Sequence, residues 1–157
     1  MESLTQKVMN PDDGQARPSS GACNAVTTKY RLMDIREVWK KAYANAEVDW
    51  LTFLEAPSYF AKRGSTLMTK ADQLAYIERN RRRIVARNTD VELSEELHEV
   101  QEHRGWATVA GRATVRRKNE VNRSDFLELW VMIEDRWQIA SLCIDELETD
   151  EDNSTRT

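Results

Sequence analysis

The stretch that most constrains the fold runs from Asp125 to Asp145, DFLELWVMIEDRWQIASLCID. Apolar residues are dense on both sides of one short polar break, Glu134-Asp135. Segments of this length, rich in β-branched and aromatic residues and joined by a two-residue turn, read as two antiparallel strands. Such a hairpin cannot stand alone in water. Its faces need a cover of helices or of further sheet.

Side chains alternate across a strand, so the turn position sets the faces. A turn centred on Glu134-Asp135 sets Glu128 opposite Ser141 and Trp130 opposite Ile139. A preceding loop centred near Glu120 sets Arg112 opposite Glu128. One face then carries Trp106, Thr108, Ala110, Arg112, Phe126, Glu128, Trp130, Met132, Trp137, Ile139 and Cys143. The other carries Ala107, Val109, Gly111, Ala113, Leu127, Leu129, Val131, Ile133, Ala140, Leu142 and Ile144. The second set is small and aliphatic, which suits close packing against helices. The first is aromatic with an Arg–Glu pair, the composition of a protein interface. The reading therefore expects a homodimer through Trp106, Arg112, Phe126, Glu128, Trp130 and Trp137.

Upstream, Asp34 to Glu37 forms a capping-box pattern. Ile35, Val38, Trp39, Ala42 and Ala46 follow on one helical face, to about Glu47. A second helix is expected over 49–54, with Asp49 as N-cap and Trp50, Phe53 and Leu54 facing in. Pro57 ends it, Ser58 to Arg63 reads as a strand, and Gly64 as a turn. A third helix begins at Thr69-Lys70-Ala71-Asp72 with a narrow apolar stripe. Residues 84–90 are expected as a strand, as is the segment from about Leu97, turning at His103-Arg104-Gly105 into Trp106. Trp106–Arg117, Arg123–Ile133 and Arg136–Asp145 complete the set.

The chain has 157 residues and a net charge of −4, which suits one domain and argues against nucleic acid as partner. No apolar run is long enough to span a membrane, and the N-terminus lacks a signal-peptide core. Two cysteines, Cys23 and Cys143, give neither a disulfide framework nor a zinc site, and a cytoplasmic location is expected. Residues 1–28 read as a flexible leader, 29–147 as the folded domain and 148–157 as a disordered acidic tail.

Helices followed by a strongly curved sheet ending in three long antiparallel strands resemble the nuclear transport factor 2-like superfamily, most closely its SnoaL-like bacterial branch. The resemblance is carried by Trp39 to Asp49 with Leu51, Phe53 and Leu54, by Ser58 to Gly64, Thr69-Lys70 and Ala110-Gly111-Arg112. Above all it lies in Phe126-x-x-x-Trp130-Val131 and Arg136-Trp137-Gln138-Ile139-Ala140-Ser141. The branch's usual turn is Asp-Gly-x-Trp, whereas Asp135-Arg136-Trp137 lacks the glycine and is one residue tighter. The resemblance implies an α+β fold, a cone-shaped curved antiparallel β-sheet wrapped around N-terminal helices (a cystatin-like α+β barrel). It also implies an apolar pocket inside the cone and dimerisation through the convex face.

Isomerases of this superfamily resemble one another in using a helix tyrosine, an aspartate at the end of the first strand and a protonated aspartate on the penultimate strand. Those places register here on Trp39, Arg63 and Leu129, none of which can do that work. The expected pocket is instead Trp39, Tyr43, Trp50, Tyr59, Leu127, Leu129, Val131 and Gln138. Tyr76, His98 and His103 are the remaining polar side chains weighed. Histidines with no carboxylate at ligand spacing make no metal site, and no cofactor is implied. Arg79, Arg81, Arg82, Arg83 and Arg87 read as a solvated helix end paired with Glu92, Glu95, Glu96 and Glu99. The expectation is a homodimeric domain holding a small hydrophobic molecule without catalytic machinery. The alternative is a cofactor-free cyclase, dehydratase or isomerase acting on a polyketide- or terpenoid-like substrate.

Overall fold

A computed structural model describes residues 31–147. The expected leader and acidic tail, with Cys23, lie outside the described residues. Two helices come first, α1 (Leu32–Ala44) and α2 (Val48–Leu54), then β1 (Glu55–Arg63) and β2 (Thr66–Thr69). Helix α3 (Lys70–Thr89) follows, then β3 (Glu92–Glu102), β4 (Trp106–Arg117), β5 (Glu120–Ile133) and β6 (Arg136–Glu146). The six strands form one sheet in the order β2-β1-β6-β5-β4-β3. It is mixed rather than purely antiparallel, because β1 runs parallel to β6. No helix is long and apolar enough to cross a membrane.

Helix α1 starts at Leu32, before the expected box, so Asp34 lies inside the first turn and no side chain caps the helix. There Asp34 still complements the positive end of the helix dipole. Its buried face is Leu32, Arg36, Trp39 and Ala42, spaced three and four residues apart. Helix α2 buries Leu51 and Leu54 but not Trp50 or Phe53, which are about half exposed. It begins a residue before the expected start, so Asp49 is a first-turn residue and not the N-cap. Its last carbonyls find donors from elsewhere. Phe53 O accepts from Arg136 and from Gln138 Nε2 at 3.0 Å, and Lys70 Nζ donates to Thr52 O and Glu55 O at 2.8 Å each.

Helix α3 starts where expected and has a side-chain cap, Thr69 Oγ1 accepting from the Asp72 N–H. The strand expected over 84–90 is instead the last part of this helix. Ile84 continues the stripe of Gln73, Leu74 and Ile77, and packs against the core. Asn88 anchors the end by donating to Ala44 O at 2.7 Å. Helical continuity here outweighs the local β-preference of Ile84 and Val85.

The largest correction concerns the faces. Arg117 pairs with Glu120, so the β4–β5 turn lies between Lys118 and Asn119 and not near Glu120. Arg112 accordingly sits opposite Asp125, bonding it through Nε at 2.8 Å, and Glu128 sits opposite Val109. At the β5–β6 turn, Glu134 and Asp135 both have positive φ and Trp130 meets Ile139 as expected. A register shift past Ile139 then moves Glu128 from Ser141 to Leu142. Ala107, Val109 and Gly111 therefore share the concave face with Phe126, Glu128, Trp130, Trp137 and Ile139. Leu127, Leu129 and Val131 share the convex face with Trp106 and Arg112. Burial of Leu32, Leu51 and Leu54 beneath the helices contributes roughly 1.5–3 kcal/mol each. A side chain at Gly111 would run into the Glu96 carbonyl and the Phe126 ring, which is why glycine stands there.

Candidate functional site

Two buried carboxylates lie under the helices. The first is Glu128, inward on β5 and 2% exposed. Arg36 reaches it from α1, Nε donating at 2.8 and 3.0 Å and Nη2 at 2.7 Å. Trp130 Nε1 donates to it at 2.9 Å. The other edge of the Arg36 guanidinium holds Glu95 of β3 at 3.0 and 3.1 Å, and Lys40 meets Glu95 at 2.8 Å. The guanidinium also lies over the Phe126 ring, 5.4 Å from its centroid. Burial works against the Arg36 charge, but Glu128 and Glu95 more than offset it and push its pKa up. Burial likewise works against the Glu95 charge, and Arg36 and Lys40 bring its pKa below the usual carboxylate value.

Phe126, Glu128, Trp130 and Trp137, expected at a subunit interface, are thus interior. Trp130 packs edge-to-face on Trp39, with centroids 5.9 Å apart. The missed signal was the turn position, since moving a turn by an odd number of paired positions inverts every side chain of the strand.

The second carboxylate is Glu55, the first residue of β1 and 0% exposed. Gln73 Nε2 of α3 donates to its Oε1 at 2.7 Å, and Trp39 Nε1 of α1 does so at 3.3 Å. Its other oxygen, Oε2, has no hydrogen-bond partner, and neither do the buried Tyr59 hydroxyl and Gln73 Oε1. Burial pushes the Glu55 carboxyl up to about 6, against the pull of Gln73, Trp39 and Lys70. Burial also raises the Tyr59 hydroxyl, with the Glu55 charge adding to it. Tyr43 stands against Trp39, with centroids 6.0 Å apart. Its hydroxyl is raised by burial and drawn back by the charge of Arg63. A cavity of about 460 Å³, lined mainly by Pro57, Phe60, Leu67 and Thr69, shares Tyr59 and Lys70 with this cluster.

Of the expected pocket residues, the structure gathers Trp39, Tyr43 and Tyr59 around Glu55. It does not bring the others to them. Leu127 is exposed, Leu129 and Val131 lie on the convex face, Trp50 is exposed, and Gln138 closes the end of α2. Sequence reasoning missed Glu55 and Gln73, although the apolar residues Leu54 and Ala56 on either side of Glu55 mark it as a carboxylate that cannot easily reach water. His98 and His103 lie on the far hairpin, His103 stacked on Trp106 with centroids 4.0 Å apart. Glu95, expected to meet the arginine cluster, goes to Arg36 and Lys40.

A chemical difference from a ketosteroid isomerase-type site is visible. The penultimate strand does turn an acid inward, Glu128, one residue from the Leu129 position expected to replace it. Both its oxygens are taken up by Arg36 and Trp130, so neither is open to an enolate oxygen.

Helices packed in the hollow of this six-stranded curved sheet define a nuclear transport factor 2-like fold. Solved structures with the same arrangement include a nuclear transport factor 2-like protein of unknown function from Shewanella oneidensis. It is 16% identical, covers 80% of this chain and 98% of its own, and superposes with a TM-score of 0.57. A ketosteroid isomerase-like protein from Erwinia carotovora is 17% identical over 74% of this chain and 94% of its own, with a TM-score of 0.54. A cystatin-like protein of unknown function from Nostoc punctiforme is 11% identical over 74% and 88%, also at 0.54. At these identities the likeness defines the fold alone. No family model matches the chain. No curated protein matches it either.

Proposed function

We propose that the protein is a small-molecule-binding domain whose site is the cluster around Glu55, and that it works without a cofactor. The observation that carries this reading is the half-satisfied state of the cluster. Glu55 Oε2, the Tyr59 hydroxyl and Gln73 Oε1 are buried without partners, in a molecule that elsewhere saturates its interior carboxylate. Unpaired buried polar atoms cost about 1–3 kcal/mol each and persist mainly where function retains them. Trp39, Tyr43 and Tyr59 make the surround of the cluster aromatic, which suits a largely apolar ligand body, and Tyr43 is the one of the three that meets solvent.

A second reading is favoured by the same carboxyl. A group titrating near 6 exchanges a proton readily at neutral pH, so Glu55 can act as the single acid–base group of a cyclase, dehydratase or isomerase on a polyketide- or terpenoid-like substrate. Enolisable cyclic ketones in deuterated water separate the two readings. Catalysed exchange of the α-hydrogens that disappears in Glu55→Gln supports chemistry. Saturable binding without exchange, read from the Trp39 indole resonance, supports a carrier. Absence of both removes the site.

The domain is further proposed to be a homodimer through the convex face, where Trp106 and Leu127 are 44% and 48% exposed on the same face as the Arg112–Asp125 pair. Leu127→Asp should convert the dimer to monomer by light scattering without loss of the fold. A wild-type protein that is monomeric at high concentration ends this proposal.

A further inference from the structure

Strand β3 is the outer strand of the sheet, and among the described residues no strand pairs with its other side. About every second residue of an antiparallel edge turns its backbone N–H and C=O to the open side. The side chains of β3 are exposed as well, all but Glu95, which is held by Arg36 and Lys40. Register sorts them into two rows. Leu93, Leu97 and Val100 lie opposite Val115, Gly111 and Val109 on the concave face, yet they are 55%, 39% and 43% exposed. Glu92, Glu96 and Glu99 lie opposite Arg116, Arg112 and Ala110 on the convex face. Among the described residues, the only basic side chain in ion-pair contact with these three is His98, 3.8 Å from Glu96. A bulge at His98 leaves residues 92–97 as the uninterrupted part of the edge.

Two copies of β3 meeting edge to edge would set one carboxylate row against the other. Like charges across strands repel, which keeps the chain from pairing with itself at this edge. The same row favours a strand of opposite charge. Strand β4 shows what such a strand looks like, with Arg116 and Arg112 facing Glu92 and Glu96, and Val115 and Val109 facing Leu93 and Val100. We propose that β3 is a docking edge for an extended segment of a partner protein in which basic residues alternate with apolar ones. The segment adds to the six-stranded sheet as one further strand. Its backbone completes the open hydrogen bonds, its apolar side chains cover Leu93 and Leu97, and its basic side chains meet Glu92 and Glu96. The edge is separate from the Glu55 cluster, so either assignment can fail alone.

The test is fluorescence anisotropy of the full chain with a labelled peptide of about eight residues that alternates valine with lysine. A control peptide has the same composition with the valines grouped at one end. Two more carry N-methyl groups on alternate residues, one in each phase, so that only one of them loses the N–H donors facing β3. The alternating peptide should bind roughly tenfold or more tightly than the grouped one. It should also slow amide hydrogen exchange within residues 92–97. One phase of N-methylation should abolish binding and the other should leave it. Affinity should fall with added salt and in the Glu92→Gln, Glu96→Gln double variant. Equal binding of the alternating and grouped peptides means adsorption to an acidic surface and overturns the docking edge, as does the absence of binding. Slowed exchange within residues 92–97 that appears without peptide and grows with protein concentration gives the edge to a second copy, and overturns the basic partner.

Discussion

Glu128 and Glu55 are the same residue type, both fully enclosed, about one turn of α1 apart in the side chains that meet them. Arg36 serves the first and Trp39 the second. Their chemistry differs because their partners differ. Glu128 faces a guanidinium that it shares with Glu95, and Glu95 is also paired with Lys40, so two carboxylates are matched by two cations. The Glu55 carboxyl accepts only from neutral donors, an indole and an amide, with Lys70 bonded to its backbone carbonyl instead, and its second oxygen accepts from none. Burial without a paired countercharge disfavours the ionised form of Glu55. Glu128 has donors on both oxygens, whereas Glu55 is left able to gain or lose a proton.

The sharpest way to break this contrast is to remove the countercharge. Arg36→Met should destabilise the fold by about 3–5 kcal/mol in urea unfolding, because Glu128 is left buried and unpaired. Adding Glu128→Gln should recover more than half of the loss, since the amide oxygen still accepts from Trp130 while the unpaired charge is gone. A single-variant cost below about 1 kcal/mol would show that the network adds nothing beyond hydrophobic burial.

The next largest effect is the pH dependence assigned to Glu55. Its carboxyl titrates at 4.5 when the chain is unfolded and at about 6 in the fold. Between those values the folded state holds a proton that the unfolded state has released. The stability that Glu55 contributes is therefore fully present below 4.5 and is lost as pH rises through 6. One and a half units correspond to about 2 kcal/mol. Glu55→Gln should flatten this part of the profile and stabilise the protein at pH 8 relative to wild type. Glu95 works in the opposite direction. Its lowered pKa adds stability that is present above the ordinary carboxylate value and lost as pH falls. The Arg36→Met change should therefore reduce the acid-side loss while leaving the Glu55 decline in place.

How far these environments were legible in the sequence follows from what each depends on. The fold was readable, because the long alternating strands and the Glu134-Asp135 turn depend on local pattern. The assignment of Glu128 to the convex face failed on the position of the Lys118-Asn119 turn. No glycine marks that turn, and Lys118 takes its positive φ unaided. The register shift past Ile139 then breaks the simple alternation on β6. Trp39, Tyr43 and Tyr59 were recognisable as large side chains on elements bound to face inward. Glu55 was not, because its character comes from Gln73, eighteen residues away on a helix with few apolar positions. Long-range pairing of polar groups leaves little periodic trace.

The smallest effect tests whether the turn that was read correctly also sets the contrast. Glu134 and Asp135 sit at φ 50° and 58°, in a conformation that costs most side chains energy and that Asn-Gly adopts readily. Replacing the pair with Asn-Gly should stabilise the protein by about 1 kcal/mol, chiefly by relieving that backbone. The pairing of Trp130 with Ile139 should persist, and with it the inward direction of Glu128. The pH profile of Glu55 should then be shifted upward uniformly, with no change in its slope. A changed slope would mean that the hairpin register reaches as far as β1, which pairs with β6 at Glu55 and Ile139. In that case the two carboxylates would be coupled through the sheet instead of being set independently by their helices.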